Sequence, residues 1–235
     1  MKLSIIIPTY NEYKTIADII RYVQSVEYPI EYELILIDDA SVDRTYETEA
    51  LLRIKGREEG KEIRLFKNKI NRGKSFSVRK GIRRSRGDII VIQDGDMEYD
   101  PRDIPKLLAP ILKGEADVVC GSRFLNAKRP LGMALPNWIA NQFLTWLTNF
   151  LYGLHQTDME TCYKVFRSDL LKKLNLRANR FEFEPEVMAL LARRHARIIE
   201  LPIDYHGRTA KEGKKINGID FVIAIFTLVK YLFKK

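Results

Sequence analysis

Residues 88–98 read Asp-Ile-Ile-Val-Ile-Gln-Asp-Gly-Asp-Met-Glu. The apolar, β-branched residues 89–92 suit a buried strand, and that strand leads directly to Asp94 and Asp96, two carboxylates flanking a glycine. Gly95 would let the backbone approach a ligand closely. Carboxylates are the hard oxygen ligands that a divalent cation takes, and such a cation would neutralise a diphosphate leaving group as a Lewis acid. A solvated turn after a strand fits the same spacing, so the motif needs support from the rest of the chain.

That support starts with the elements that must position it. Short β-branched runs at 3–7, 33–37, 63–66, 89–92 and 117–120 alternate with amphipathic stretches at 12–26, 43–55 and 75–84. This alternation predicts a mostly parallel sheet covered by helices, an α/β fold. Ligands of open α/β sheets bind beyond the carboxyl ends of the strands. The polar clusters 9–12, 38–39, 68–74 and 93–96 each follow a strand and therefore converge on one expected site.

The chain has 235 residues, 46% of them hydrophobic, enough to bury a substantial core as one large domain with a C-terminal appendage. Its 40 Lys and Arg against 31 Asp and Glu give a formal net charge of +9, which favours anionic partners. Nucleic acid is disfavoured among these, because no recognition motif accompanies the Arg79-Lys80 and Arg83-Arg84 pairs. The two cysteines, Cys120 and Cys162, have neither disulfide nor metal spacing, and a reducing cytoplasm is the simple reading.

The opening run at 3–7 is too short for a signal segment and ends at Pro8, and no stretch reaches the roughly 20 apolar residues of a spanning helix. A soluble or peripheral protein is expected. Two segments suit a bilayer interface as well as a core. Residues 131–154 hold Trp138 and Trp146 beside Lys128 and Arg129, and 219–233 are nearly all apolar before Lys234 and Lys235.

Four motifs in order give the chain a close resemblance to glycosyltransferase family 2. They are Ile5-Ile6-Ile7-Pro8-Thr9-Tyr10-Asn11-Glu12, then Ile37-Asp38-Asp39-Ala40-Ser41-Val42-Asp43, then Asn71-Arg72-Gly73-Lys74, then Asp94-Gly95-Asp96. Gly121-Ser122-Arg123-Phe124 and the segment from Thr157-Asp158 to Phe166-Arg167 resemble blocks of the polyprenyl-phosphate hexosyltransferases, the group that includes dolichol-phosphate mannose synthase. Residues 181–186 and 208–216 are similar to blocks in its short members.

The resemblance implies a GT-A fold over residues 1–216, with a nucleotide-sugar half at 1–125 and an acceptor half at 126–216. An apolar helix at 217–235 would then dock on the domain, on a partner or at a membrane interface. It implies a nucleoside-diphosphate sugar donor, GDP-mannose or UDP-glucose, and an inverting reaction that uses Mg2+ or Mn2+. Pro8, Tyr10, Glu12 and Asp39 would hold the nucleoside, with Lys74 near the nucleotide end of the site. Asp94 would orient the ribose or sugar, and Asp96 and Glu98 would ligate the metal. The acceptor would be a polyprenyl phosphate met at the cytoplasmic face of a membrane.

A phosphate acceptor is largely dianionic near neutral pH, so it needs cations and no general base. Arg123 and Arg208 are the first choices to bind it, since a guanidinium grips two phosphate oxygens at once. Lys214 and Lys215 would belong to a loop closing over the diphosphate. Asp158 is open to two readings. It would orient a lysine or arginine if the acceptor is a phosphate, or act as base in an enzyme that extends a polysaccharide. Where the lipid-phosphate group carries a further arginine after Gly-Ser-Arg, residues 137–141 hold none.

Overall fold

The computed structural model describes residues 1–207 and 218–234. Seven strands form one sheet: β1 (Lys2–Thr9), β2 (Glu31–Asp38), β3 (Ile63–Lys67), β4 (Ile89–Ile92), β5 (Val118–Ser122), β6 (Lys164–Arg167) and β7 (Ile198–Pro202). Their spatial order is β3-β2-β1-β4-β6-β5-β7. All neighbours are parallel except at β6, which runs antiparallel to both β4 and β5. The central strands are sheathed on both faces. Leu3, Ser4, Ile5, Ile6 and Ile7 are all inaccessible to solvent, although alternate residues of a strand point to opposite sides.

The helices are α1 (Ile16–Ser25), α2 (Thr45–Glu58), α3 (Lys74–Arg84), α4 (Ile104–Leu112), α5 (Leu135–Tyr152), α6 (Ser168–Lys172), α7 (Phe183–Ala192) and α8 (Gly218–Phe233). In α1 the buried residues Ile16, Ile19, Ile20 and Val23 recur at the spacing of one helix face. The expected helix at 12–26 begins later, at Ile16. Asn11 takes a left-handed φ of 53°, and Thr15 and Ile16 both donate to the Glu12 carbonyl, so residues 10–12 stay a shaped loop beyond β1.

The expected strands are all present, each extended or shifted by one or two residues at its ends at most. Patterning did not reveal α4, α6, β6 or β7. Pro110 lies inside α4, where proline ordinarily argues against a helix, while Pro105 sits in its first turn, where proline is tolerated. The four-residue β6 opens with the buried Lys164, and β7 is only half-buried along its length.

The two halves expected on either side of residue 125 share this sheet. Strand β5 pairs with β6 and β7 from the later half, so neither half has a sheet of its own. Helix α8 packs on α5 and α7, with the Tyr152 hydroxyl donating to the Leu228 carbonyl at 2.6 Å and the Tyr231 hydroxyl donating to Glu186 Oε1.

Candidate active site

From β1 the chain moves outward through β2 and β3, then returns to form β4 on the other side of β1. Open α/β sheets hold their ligands at such a reversal of strand order. The register aligns Thr9 with Asp38 and Ile6 with Ile92, so β1 and β2 end together, β4 ends three residues short of them, and the three polar loops leave from the same edge of the sheet. Between them lies a cleft of about 470 Å3. Pro8, Tyr10, Glu12, Asp39, Lys74, Asp94, Asp96 and Glu98, drawn from four separate segments, all line it.

Asp39 is 2% exposed and organises the loop before α3. Its carboxylate accepts from the backbone N–H of Arg72 and Gly73, the latter at 2.7 Å, and from Asn68 Nδ2 at 2.6 Å. Only glycine fits at 73. Its φ is 94°, and a Cβ there would stand 2.5 Å from the Asn179 carbonyl oxygen. The loops after β1 and β2 are also tied together: Asn11 N–H donates to Ser41 Oγ, Val42 N–H to Asn11 Oδ1, and Glu12 N–H to Thr45 Oγ1. Thr15 Oγ1 then donates to the Gly95 carbonyl at 2.9 Å, fixing the acidic loop against α1.

Within the cleft, Lys74 Nζ lies 2.7 Å from Asp94 Oδ1. Burial alone would lower the ammonium, but the charge of Asp94, joined by Cys162 and Glu184, outweighs it and holds Lys74 well above its usual value. Cys162 Sγ donates to the same Asp94 oxygen at 3.1 Å. Burial and then the Asp94 charge push this thiol up, which leaves it protonated and a poor nucleophile.

Asp96 and Glu98 are 8% and 9% exposed and stand on the cleft wall. Asp96 Oδ1 accepts from Glu98 N–H at 3.1 Å, and Glu98 Oε2 accepts from the Tyr205 hydroxyl at 2.7 Å. Among the described residues no three His, Cys, Asp or Glu converge as a metal cage. Asp96 and Glu98 instead form a two-carboxylate edge on an open cleft, a hard-oxygen donor set that fits Mg2+ or Mn2+ once diphosphate and water oxygens complete the shell.

Arg123 and Asp158 do not line the cleft but stand one residue behind it. Arg123 Nε and Nη2 each meet a different oxygen of Asp158 at 2.7 Å, and its backbone N–H donates to Oδ2. Nη2 also donates to Asn141 Oδ1 at 2.9 Å, and the guanidinium carbon lies 5.2 Å from the centre of the Tyr205 ring. Tyr205 thus links this pair to Glu98. Asp158 is entirely buried, with both oxygens engaged by one guanidinium. Arg208, Lys214 and Lys215 lie outside the described residues.

The structure adds Arg180, which sequence reasoning passed over, and gives places to Phe181, Lys164 and Glu160, which lie in segments that the resemblance had marked. Arg180 and Phe181, just before α7, line the cleft, and Arg180 Nε lies 3.5 Å from Asp220 in the first turn of α8. Lys164 is buried and donates to the carbonyls of Met159 and Thr161, at 2.8 and 2.5 Å, gathering the loop that carries Asp158, Glu160 and Cys162. Glu160 keeps a buried Oε1 without a hydrogen-bond partner among the described residues. Burial, with Glu184 nearby, pushes its carboxyl up to about 8. Arg180 had no sequence signal beyond residue type, because its place depends on chain segments that only folding brings together.

A seven-stranded, mostly parallel sheet with an acidic cleft at its switch point defines a GT-A nucleotide-sugar fold. The model of Glycosyl transferase family 2 matches residues 4–174, and the chain belongs to that family. It is 30% identical over 211 residues to dodecaprenyl-phosphate galacturonate synthase of Rhizobium johnstonii, covering 88% of this chain and 60% of that protein. It is 25% identical to dolichol-phosphate mannosyltransferase of Pyrococcus furiosus, covering 98% of this chain and 64% of the relative. The chain thus spans less than two thirds of either relative. A UDP-N-acetylglucosamine–dolichyl-phosphate N-acetylglucosaminyltransferase of Methanococcus voltae is 29% identical, over 85% of this chain and 83% of its own length. Among solved structures, glucosyl-3-phosphoglycerate synthase of Mycobacterium tuberculosis with phosphoglyceric acid superposes with a TM-score of 0.74 at 20% identity, over 98% of this chain and 80% of that one.

Proposed function

We propose that the protein transfers a hexose from a nucleoside-diphosphate sugar to a polyprenyl phosphate, with inversion, at a membrane surface. The observation that carries this reading is the cleft itself. It gathers Tyr10, Asp39, Lys74, Asp94, Asp96 and Glu98 around one space, while Arg123 waits behind Glu98 and Tyr205. The three lipid-phosphate transferases among the relatives support the acceptor class.

In this reading the nucleoside lies against Pro8, Tyr10 and Glu12, beside the loop that Asp39 holds. Asp96 and Glu98 would hold Mg2+ or Mn2+, which when bound offsets the charge of the departing diphosphate. Asp94 is oriented by its ion pair with Lys74 and aims at donor hydroxyls. Arg123 is held by Asp158 and Asn141 through Nε and Nη2, so its Nη1 would be preorganised for an acceptor oxygen. Arg208, Lys214 and Lys215 would supply the other positive charges. The acceptor oxygen, already anionic, attacks the anomeric carbon directly, and no proton needs to be removed.

The lack of solvent access to Asp158 disfavours it as a general base for a sugar hydroxyl. A hydroxyl acceptor would instead have to rely on Glu160. The test is incubation with radiolabelled GDP-mannose, UDP-glucose or UDP-N-acetylglucosamine, each with a short, detergent-soluble polyprenyl phosphate and Mg2+ or Mn2+. Label should enter the lipid from one donor and disappear in Asp96→Ala. Transfer to a saccharide but not to lipid phosphate, abolished by Glu160→Gln, would overturn the phosphate-acceptor reading.

A further inference from the structure

A helix that starts at a ligand cleft ordinarily offers its first N–H groups to phosphate. Helix α3 starts at this cleft, but its first turn is already engaged. Ser75 N–H donates to the Arg180 carbonyl at 2.8 Å and Phe76 N–H to the Asn179 carbonyl at 2.9 Å. Ser75 Oγ donates to the Arg180 carbonyl as well, at 2.7 Å. A diphosphate in this cleft therefore depends on side chains and a metal ion rather than on that helix terminus.

Charge narrows the choice of side chain. Among the described residues, five carboxylates and three cations, Arg72, Lys74 and Arg180, line the cleft. A divalent cation would only balance the surplus carboxylates and leave the diphosphate's own charge to be met. Lys74 is committed to Asp94 at 2.7 Å, and the Arg72 guanidinium lies over the Phe76 ring, 4.4 Å from its centre.

Arg180 differs from both. Its counter-ion, Asp220, stands outside the cleft lining, with Nε and Oδ1 3.5 Å apart, and the arginine side chain is 57% exposed. Tight guanidinium–carboxylate contacts measure about 2.7–2.9 Å, a length that Arg123 and Asp158 reach twice. Because its carbonyl is pinned to α3, Arg180 can reorient as a side chain on a fixed backbone.

We propose that Arg180 binds the donor's diphosphate, and that Asp220, which holds the arginine in the donor-free protein, is the anion that the diphosphate displaces. A guanidinium presents a planar fork to two phosphate oxygens, so the exchange replaces one long contact by a bidentate one. Asp220 tolerates the loss, since it sits in the first turn of α8, where the helix dipole favours a carboxylate. The donor thus competes with a built-in anion, and its apparent affinity is lowered by the fraction of arginine that Asp220 retains. The inference rests on the nucleoside-diphosphate reading of the cleft and adds to it a binding residue and an internal competitor.

The experiment is isothermal titration calorimetry of the full chain with UDP and with GDP, each with Mn2+ and without acceptor. For the nucleotide that binds, Arg180→Ala should raise Kd about tenfold or more, the loss of a charged hydrogen-bonding partner. Asp220→Asn should lower Kd about threefold or more by removing the competitor. The double variant should match Arg180→Ala, because the competitor then has nothing to hold. A purely structural Asp220 would instead weaken binding when replaced. If Asp220→Asn loses its circular dichroism, Asp220→Ser takes its place with the same expectation.

Unchanged affinity in Arg180→Ala, or weaker or unchanged binding in a folded Asp220 variant, overturns the inference. So does a tightening by Asp220→Asn that persists without Arg180, which would be a field effect of the lost charge. A wild-type chain that binds neither nucleotide overturns the donor reading and this inference together, whereas wild-type binding with unaltered variants sinks this inference alone. No acceptor is present, so a failure of transfer to lipid leaves the binding result standing.

Discussion

The Arg123–Asp158 pair separates two chemistries that the sequence alone left open. A general base must reach the proton it removes, and Asp158 instead has both oxygens on one guanidinium and no exposed surface. Its replacement should therefore be read first in stability. Asp158→Asn leaves Arg123 buried and half-paired, a loss of about 3–5 kcal/mol. Thermal unfolding should show a clear fall in Tm, with transfer falling alongside it. An Asp158→Asn enzyme of unchanged Tm that has lost only the alkaline activation of its rate would restore Asp158 as a base. The sequence marked both residues as chemical and left Asp158 open to orienting an arginine, but it did not single out Arg123, from which Asp158 is separated by 35 positions along the chain.

At the level of elements, the site depends on loops whose backbone is held by side chains. Gly73 is the tightest point, since a methyl group would have to displace the 179–180 backbone that bonds to Ser75 and Phe76. Gly73→Ala should cost about 2 kcal/mol or more, adding a left-handed φ to a clash. It should also raise the donor KM more than it lowers kcat, because Asp39, Arg72 and Lys74 shift together. Equilibrium unfolding and donor titration check both parts, and wild-type values in both would remove this loop from the donor site. The five parallel-type strands and the four motifs after them were legible because apolar runs and polar punctuation fall in phase. What stayed hidden was the apparatus between motifs. Pro110 masks the helical pattern of α4, and β6 has only Val165 and Phe166 between Lys164 and Arg167, too short an apolar run to stand out. The loop at 179–181 reaches the cleft through no periodicity at all.

For the whole molecule, the cost of burying carboxyl groups should appear in how stability responds to pH. Burial pushes Glu49 up to about 8, although it accepts from Thr9 Oγ1 at 2.7 Å. A carboxyl raised in this way contributes stability that is complete below its unfolded value, near 4.5, and lost as pH climbs through about 8. Glu49→Gln should therefore lessen the fall in unfolding free energy between pH 5 and pH 8 by a few kcal/mol, since each tenfold gain in proton affinity on folding is worth about 1.4 kcal/mol. Urea titrations at the two values decide it, and identical falls in both proteins would mean that Glu49 stays ionised in the fold. The reversed strand β6 bears on a different matter, the time course of synthesis. It fills the gap between β4 and β5, yet about 70 residues separate Ile92 from Lys164. At roughly 5–20 residues per second on the ribosome, the fully apolar edge of β4 stays uncapped for several seconds. During that interval a nascent chain is most exposed to mispairing with a neighbour, and a holding chaperone would have the most to protect.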